Sequence, residues 1–194
     1  MPQSKEEVVW IETITGRHVN PLNLKDDDIC IEDIAKPLSQ LCRFVGQCSR
    51  LYTVGQHSIH VADLVANELL DEYKNGMLSP GHNRTCLAAL LHDASEAYTN
   101  DISRPVKYAV KGFKEIEDVI IGKVMIHFDC VGVDWTLIKK IDNIMLATEA
   151  YDLMHSRGEG WYLPEARLHN SIPDIAPSEV CTLFMKRFIK YGGK

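Results

Sequence analysis

The segment Cys86-Leu87-Ala88-Ala89-Leu90-Leu91-His92-Asp93 constrains this chain more than any other. Its first six residues are all apolar, and a helix that is apolar almost all round belongs at the centre of a fold. The run ends on an imidazole and a carboxylate. Burying an unpaired carboxylate costs several kcal/mol, so Asp93 needs a partner. Adjacent helical positions point roughly 100° apart, which lets His92 and Asp93 converge on a divalent ion lying beside the helix. From the dipeptide alone, pairing with other protein groups is an equal reading.

The surrounding sequence reads as helices joined by polar turns. Residues 8–15, VVWIETIT, predict a short strand or extended arm. Residues 16–28, with Asn20, Pro21, Asn23 and three consecutive aspartates, read as turn and loop. A helix opens at Asp28 or Glu32 and runs through Ile34, Leu38 and Leu41, with Pro37 kinking it or moving its start. Residues 57–74 form a longer helix on Val61, Leu64, Val65, Leu69 and Leu70, and residues 76–83 break it. Thr85 then caps the central helix, which continues through Tyr98. A loop follows over 100–105, then amphipathic helices over 114–128 and 134–155, a loop-rich stretch over 158–177, and a last helix over 178–191. The expectation is an all-α helical bundle with a short N-terminal β element. It is read as one domain over residues 1–194, because that length suits one core rather than two. Its parts are an N-terminal arm (1–29), a catalytic core (30–155) and a C-terminal loop and helix (156–194).

Composition narrows the partners. A net charge of -6 and a pI near 5.7 argue against duplex nucleic acid, and leave a small phosphorylated substrate open. The N-terminus has no apolar h-region, and no apolar run is long enough for a bilayer, so no membrane partner is expected. The six cysteines form no CxxC pair and read as reduced thiols of a cytoplasmic protein.

Two further residues complete a pattern. His57 stands at the start of the preceding predicted helix, in VGQHS, and Asp142 lies in KIDNIM, on the side of Met145 and Leu146. The order His, then His-Asp on an apolar helix, then a distant Asp resembles the HD superfamily of phosphohydrolases. That resemblance implies an HD-domain bundle in which His57, His92, Asp93 and Asp142 ligate one metal ion. The runs CRFVGQCSRLYTVGQHS, ALLHDASEAYTNDISRPVK, FKEIED and IDNIMLATEAYDLM are similar to the small 5'-deoxynucleotidase branch. That branch includes bacterial deoxynucleoside monophosphatases and phage triphosphohydrolases of dATP, and the resemblance covers residues 30–155. Two imidazoles and two carboxylates suit Mn, Co, Zn, Ni or Fe better than an all-oxygen site would, while Mg suits a second site. Such an ion lowers the pKa of water and polarises phosphorus.

The remaining candidates each have a plainer reading. Glu96 follows His92 by one turn and is placed to act on water, and the resemblance implies a catalytic role. Otherwise it is a solvated helix-end carboxylate. For Asp101 the resemblance implies catalysis or a second metal shared with Glu96, against a turn or capping Asp. Arg43-Phe44 resembles the family's Arg followed by an aromatic, which implies planar donors to phosphate from Arg43 and a ring for sugar or base from Phe44. Relatives carry Trp at that place, so the departure leaves rejection of a ribose 2'-hydroxyl unassigned, and core packing is the alternative for Phe44. Lys107 resembles a phosphate-binding lysine, against a surface cation. His60 reads as a helix-surface histidine. The leading expectation is a deoxynucleotide phosphohydrolase. The arm Thr15-Gly16-Arg17-His18 resembles the phage-type members and would bring Arg17 towards the site from its own or a neighbouring subunit, which favours a deoxynucleoside triphosphate. The alternatives are a 5'-deoxynucleotidase of monophosphates, an enzyme of another phosphate ester such as a cyclic nucleotide or an alarmone, and a non-catalytic nucleotide-binding module. Relatives self-associate, so a homo-oligomer is expected.

Overall fold

A reciprocal cap starts the helix around which the protein is assembled. Thr53 Oγ1 accepts from the Gln56 amide at 3.1 Å, and Gln56 Oε1 accepts from the Thr53 amide at 2.9 Å. Helix α2 (Val54–Glu72) therefore starts three residues before the apolar spacing suggests, and His57 lies one turn inside it. The computed structural model describes residues 9–72 and 80–194. Within them α2 packs against α3 (Pro80–Leu91), α7 (Trp135–Leu153) and α8 (Pro177–Lys190). Val54, Ile59, Val61, Ala62 and Val65 of α2 meet Cys86–Leu91 of α3 in one core. Each of those α3 residues is at most 3% exposed, as an all-round apolar helix must be.

The other helices are α1 (Glu32–Leu38), α4 (Glu96–Thr99), α5 (Arg104–Ala109) and α6 (Phe113–His127). The all-α expectation holds, and the β element is a hairpin of β1 (Ile11–Glu12) and β2 (His18–Val19), with Ile11 opposite Val19. Its second strand falls in the stretch read as loop. Pro37 lies inside α1, and the helix ends at Leu38, where the Ser39 hydroxyl donates to Lys36 O at 2.7 Å, the acceptor that the Gln40 amide would otherwise use. Asp134 caps α7 through Oδ1, which accepts from the Leu137 amide at 3.0 Å. All six cysteines are free thiols. Among the described residues no helix is long and apolar enough to cross a membrane.

Two expectations fail near the centre. Thr85 does not cap α3. It sits inside it and its hydroxyl donates to Gly81 O at 3.0 Å, because the helix already runs from Pro80. Part of the predicted break, residues 76–79, lies outside the described residues, and 80–83 are helical. The central helix also does not continue to Tyr98. It stops at Leu91, and residues 92–95 form a turn before α4. His92 Nδ1 bonds to Ala89 O at 2.8 Å, the acceptor that Asp93 N would otherwise use. The backbone tightens to three-residue spacing, with Ala94 N to Leu91 O at 2.9 Å and Glu96 N to Asp93 O at 3.0 Å.

Gly55 permits the close approach that sets α2 in place. A Cβ there would lie 2.9 Å from Val180 Cγ1 and 3.1 Å from the Leu38 backbone. The Leu38 backbone cannot step aside as a side chain end can. Gly55→Ala is expected to lower stability by about 1–3 kcal/mol, the usual cost of overpacking. Denaturant unfolding checks this, and an unchanged or raised midpoint would contradict it.

Candidate active site

Three elements bring the imidazoles and carboxylates together. His57 projects from the second turn of α2, His92 and Asp93 from the turn after α3, and Asp142 from α7. His57 Nε2 lies 3.3 Å from His92 Nε2 and 3.2 Å from Asp142 Oδ1. Asp93 Oδ2 lies 3.4 Å from His92 Nε2 and 3.7 Å from His57 Nε2. The candidate ligand atoms of His57, His92 and Asp142 all fall within 4.8 Å of one another. These separations fit donors around one ion with bonds of roughly 2.1 Å.

The outer nitrogens explain why a cation belongs there. His57 Nδ1 donates to Glu149 Oε1 at 2.6 Å and His92 Nδ1 to Ala89 O at 2.8 Å. Both Nε2 atoms then carry lone pairs turned towards each other and towards two carboxylates. A proton on His57 meets the same need. Burial and Arg43 oppose the imidazolium, but Glu149 and Asp142 outweigh them and raise His57 to about 9. Asp142 is itself held far below the usual carboxylate range. Burial opposes this, and the bond and charge of His57 prevail, followed by His92 and Lys139.

Glu149 is a residue that the sequence reading missed. It is fully buried on α7 and accepts from four donors. Oε1 takes His57 Nδ1 and the Tyr52 hydroxyl, the latter at 2.9 Å, while Oε2 takes Arg43 Nε at 3.2 Å and Nη2 at 2.9 Å. Burial alone would raise its pKa, but Arg43 and then His57 hold it down at about 2. A signal was present: Glu149 follows Asp142 by seven residues, two turns along the same helical face. Arg43 reaches it because Arg43 N bonds to Tyr52 O and Val54 N to Leu41 O, a short bridge that ties the segment before α2 to its start.

The carboxylate edge of the cluster opens into a pocket of about 650 Å³. Arg43, Phe44, Glu96, Asp101 and Lys107 all line it together with Asp93 and Asp142, while His57 and His92 stand behind those two carboxylates and do not line it. Arg43 Nη1 faces Asp93 Oδ2 at 3.5 Å. Glu96 is 6% exposed, its Oε1 accepts from Lys107 Nζ at 3.2 Å, and its Oε2 is buried with no partner. Burial first, then Asp93 and Asp101, push Glu96 up to about 9. Burial also raises Asp101. Lys107 is shared, with Glu117 Oε1 at 2.8 Å. Phe44 and Val45 adopt φ of 55°, a conformation that costs a β-branched residue about 1–3 kcal/mol and is typical of ligand sites. The Phe44 ring meets Trp161 edge-on at 5.9 Å.

Trp161 and Lys139 were also missed. Trp161 comes from the loop after α7, which carries no periodic pattern, and Lys139 bonds to Asp142 Oδ2 at 2.7 Å from the pocket rim. Two expectations are corrected. Arg17 does not line the pocket of its own chain; it is held by Asp33 Oδ2 at 3.3 Å and by Thr15 Oγ1 at 2.5 Å. His60 is no surface histidine, since its Nε2 is buried without a partner and its ring stacks parallel to Tyr52. A neighbouring cleft of about 690 Å³, between residues 46–49 and the end of α7, is lined by none of His57, His92, Asp93 or Asp142.

The chain resembles known proteins over these same residues. A family model described as 5'-deoxynucleotidase YfbR-like matches residues 43–120. The chain is 36% identical over 183 residues to the uncharacterized protein YfdR of Escherichia coli (strain K12), covering 92% of this chain and 93% of that one. It is 37% identical over 123 residues to an uncharacterized protein of Rhodobacter capsulatus, covering 61% and 58% respectively. It is 26% identical over 161 residues to a 5'-deoxynucleotidase of Enterobacter sp. (strain 638), covering 72% and 79%.

His92→Ala or Asp93→Ala is expected to abolish binding of Mn²⁺ to the purified protein. Full metal occupancy in either variant would contradict the assignment. Proton and ion compete for His57 Nε2, so affinity in the parent protein is expected to rise with pH until about 9, by up to roughly tenfold per unit. Titration calorimetry at several pH values reads it, and a pH-independent affinity would count against the competition.

Proposed function

Because the chain belongs to the YfbR-like family of HD-domain metal-dependent phosphohydrolases, we propose that it hydrolyses the 5'-phosphoester of a deoxynucleotide, with His57, His92, Asp93 and Asp142 holding the divalent ion. The observation that carries this reading is one pocket that opens on the Asp93 and Asp142 edge of that donor cluster and also holds a guanidinium edge and an aromatic wall. An ion of the Mn, Co, Zn, Ni or Fe type polarises the phosphoryl group and lowers the pKa of water. Arg43 holds a phosphate oxygen through Nη1, the edge that Glu149 leaves free. Phe44 and Trp161 receive the sugar and base. Glu96, protonated at neutral pH, donates from Oε2 to the departing ester oxygen, and the proton lost by the attacking water restores it. Burial keeps Glu96 protonated, and the charges of Asp93 and then Asp101 add to it.

Charge favours a monophosphate. Arg43, Lys107, Arg104 and Lys139 stand against Asp93, Asp101, Asp142, Glu149 and Glu117, with Glu96 neutral. One divalent ion then leaves a small positive balance, which suits a dianionic ester better than a tetra-anionic triphosphate. Arg17 of the same chain does not line the pocket, so it adds no donor for a triphosphate there. Arg104 and Lys139 at the rim favour the second reading, release of intact triphosphate from a dATP-type substrate. Chromatography of products from dAMP and dATP, with Mn²⁺, Co²⁺ and Mg²⁺, tests both. Deoxyadenosine and phosphate from dAMP support the first, and deoxyadenosine and triphosphate from dATP support the second. No turnover of any deoxynucleotide would overturn the proposal.

Glu96→Gln is expected to lower kcat by about 100-fold with metal still bound. The acid form works, so kcat of the parent enzyme falls as pH rises towards 9, and that alkaline limb is absent in the variant. Steady-state rates across pH check this. A variant that keeps both rate and limb would remove Glu96 from the proton transfer.

A further inference from the structure

We propose that Glu149 is a positioning residue that sets the metal ligand His57 and the phosphate-binding Arg43 at a fixed separation, so that one buried carboxylate determines both metal affinity and phosphate affinity. The inference rests on the metal and phosphate roles given above, but not on which nucleotide is the substrate.

The geometry is that of a saturated hub. A carboxylate offers about four lone-pair positions, and here all four are taken by His57 Nδ1, the Tyr52 hydroxyl, Arg43 Nε and Arg43 Nη2. The side chain has no exposure, and His57 has none either, so water cannot replace a lost bond. Each oxygen has its own task. Oε1 fixes the His57 tautomer with the proton on Nδ1, which leaves Nε2 aimed at His92 and Asp142. Oε2 takes the Nε–Nη2 edge of the guanidinium, which leaves Nη1 and the outer N–H of Nη2, with Nη1 beside Asp93 at the pocket. Turning the carboxylate for one partner misplaces the other. Tyr52, with its hydroxyl on Oε1, braces that orientation.

Glu149→Gln keeps the shape but replaces one acceptor oxygen with a donor, so it cannot serve both His57 and Arg43. Two probes free of any nucleotide read the consequence: Mn²⁺ alone by titration calorimetry, and inorganic phosphate titrated into the Mn²⁺-loaded protein. The expected result is a loss of 10–100-fold in Mn²⁺ affinity, the scale of outer partners of metal-bound histidines, together with at least fivefold weaker phosphate binding at saturating Mn²⁺. A folded variant with both affinities within twofold of the parent, or with only one of them changed, overturns the proposal. If Glu149→Gln does not fold, the same readings on Glu149→Asp decide. Its charge is kept but its reach is one methylene shorter, so at least one affinity must fall fivefold, and both staying within twofold overturns the proposal. Failure of the deoxynucleotide reading would leave these results standing, because neither probe contains a nucleoside.

Discussion

Two imidazole nitrogens with their lone pairs turned towards one another, 3.3 Å apart and largely out of water, require a positive charge between them. Much of the interior supplies or balances that requirement. Asp93 and Asp142 bring negative charge to the same point, and Glu149 stands behind His57. Arg43 neutralises the last of these while keeping an edge free towards the pocket. The scaffold serves the same end: the Thr53–Gln56 cap fixes where α2 begins, and Gly55 lets the first turn of α2 seat against Leu38 and Val180. Two residues later comes His57. A buried charge network of this kind is costly unless every member is paired.

The same requirement accounts for a break in the central helix. A regular helix through His92 would spend Ala89 O on the Asp93 amide. Here the imidazole takes that carbonyl, the helix ends, and the tighter turn carries Asp93 and Glu96 to the pocket. Glu96 then sits where burial and two neighbouring carboxylates keep it protonated, while Asp142, beside an imidazolium or an ion, stays charged. Carboxylates of opposite protonation state within one cavity are the usual arrangement for acid catalysis beside a charged centre.

Much of this was legible in the sequence, for identifiable reasons. His57, His92, Asp93 and Asp142 could be picked out because the elements that carry or precede them have strong apolar periods, and the structure brings the four side chains together. The course of α7 was readable from Asp134 onward for the same reason. What the sequence did not yield depends on contacts rather than periods. The start of α2 was placed too late because its cap is a pair of side chains, Thr53 and Gln56, in a stretch with no apolar repeat. Glu149 and Trp161 went unnoticed because one is a glutamate inside a helix and the other lies in a loop without a pattern. Their roles appear only when residues about a hundred positions apart are brought together. Arg17 was linked to the pocket by resemblance alone, and Asp33 holds it elsewhere.

The central claim is that one ion joins His57, His92, Asp93 and Asp142, and X-ray absorption spectroscopy of the cobalt-loaded protein tests it most directly. The account predicts one cobalt per chain with two imidazole nitrogens and the remaining donors all oxygen, at roughly 2.0–2.2 Å. A spectrum with a sulfur donor, with fewer than two imidazoles, or with only the hydrated ion would contradict it.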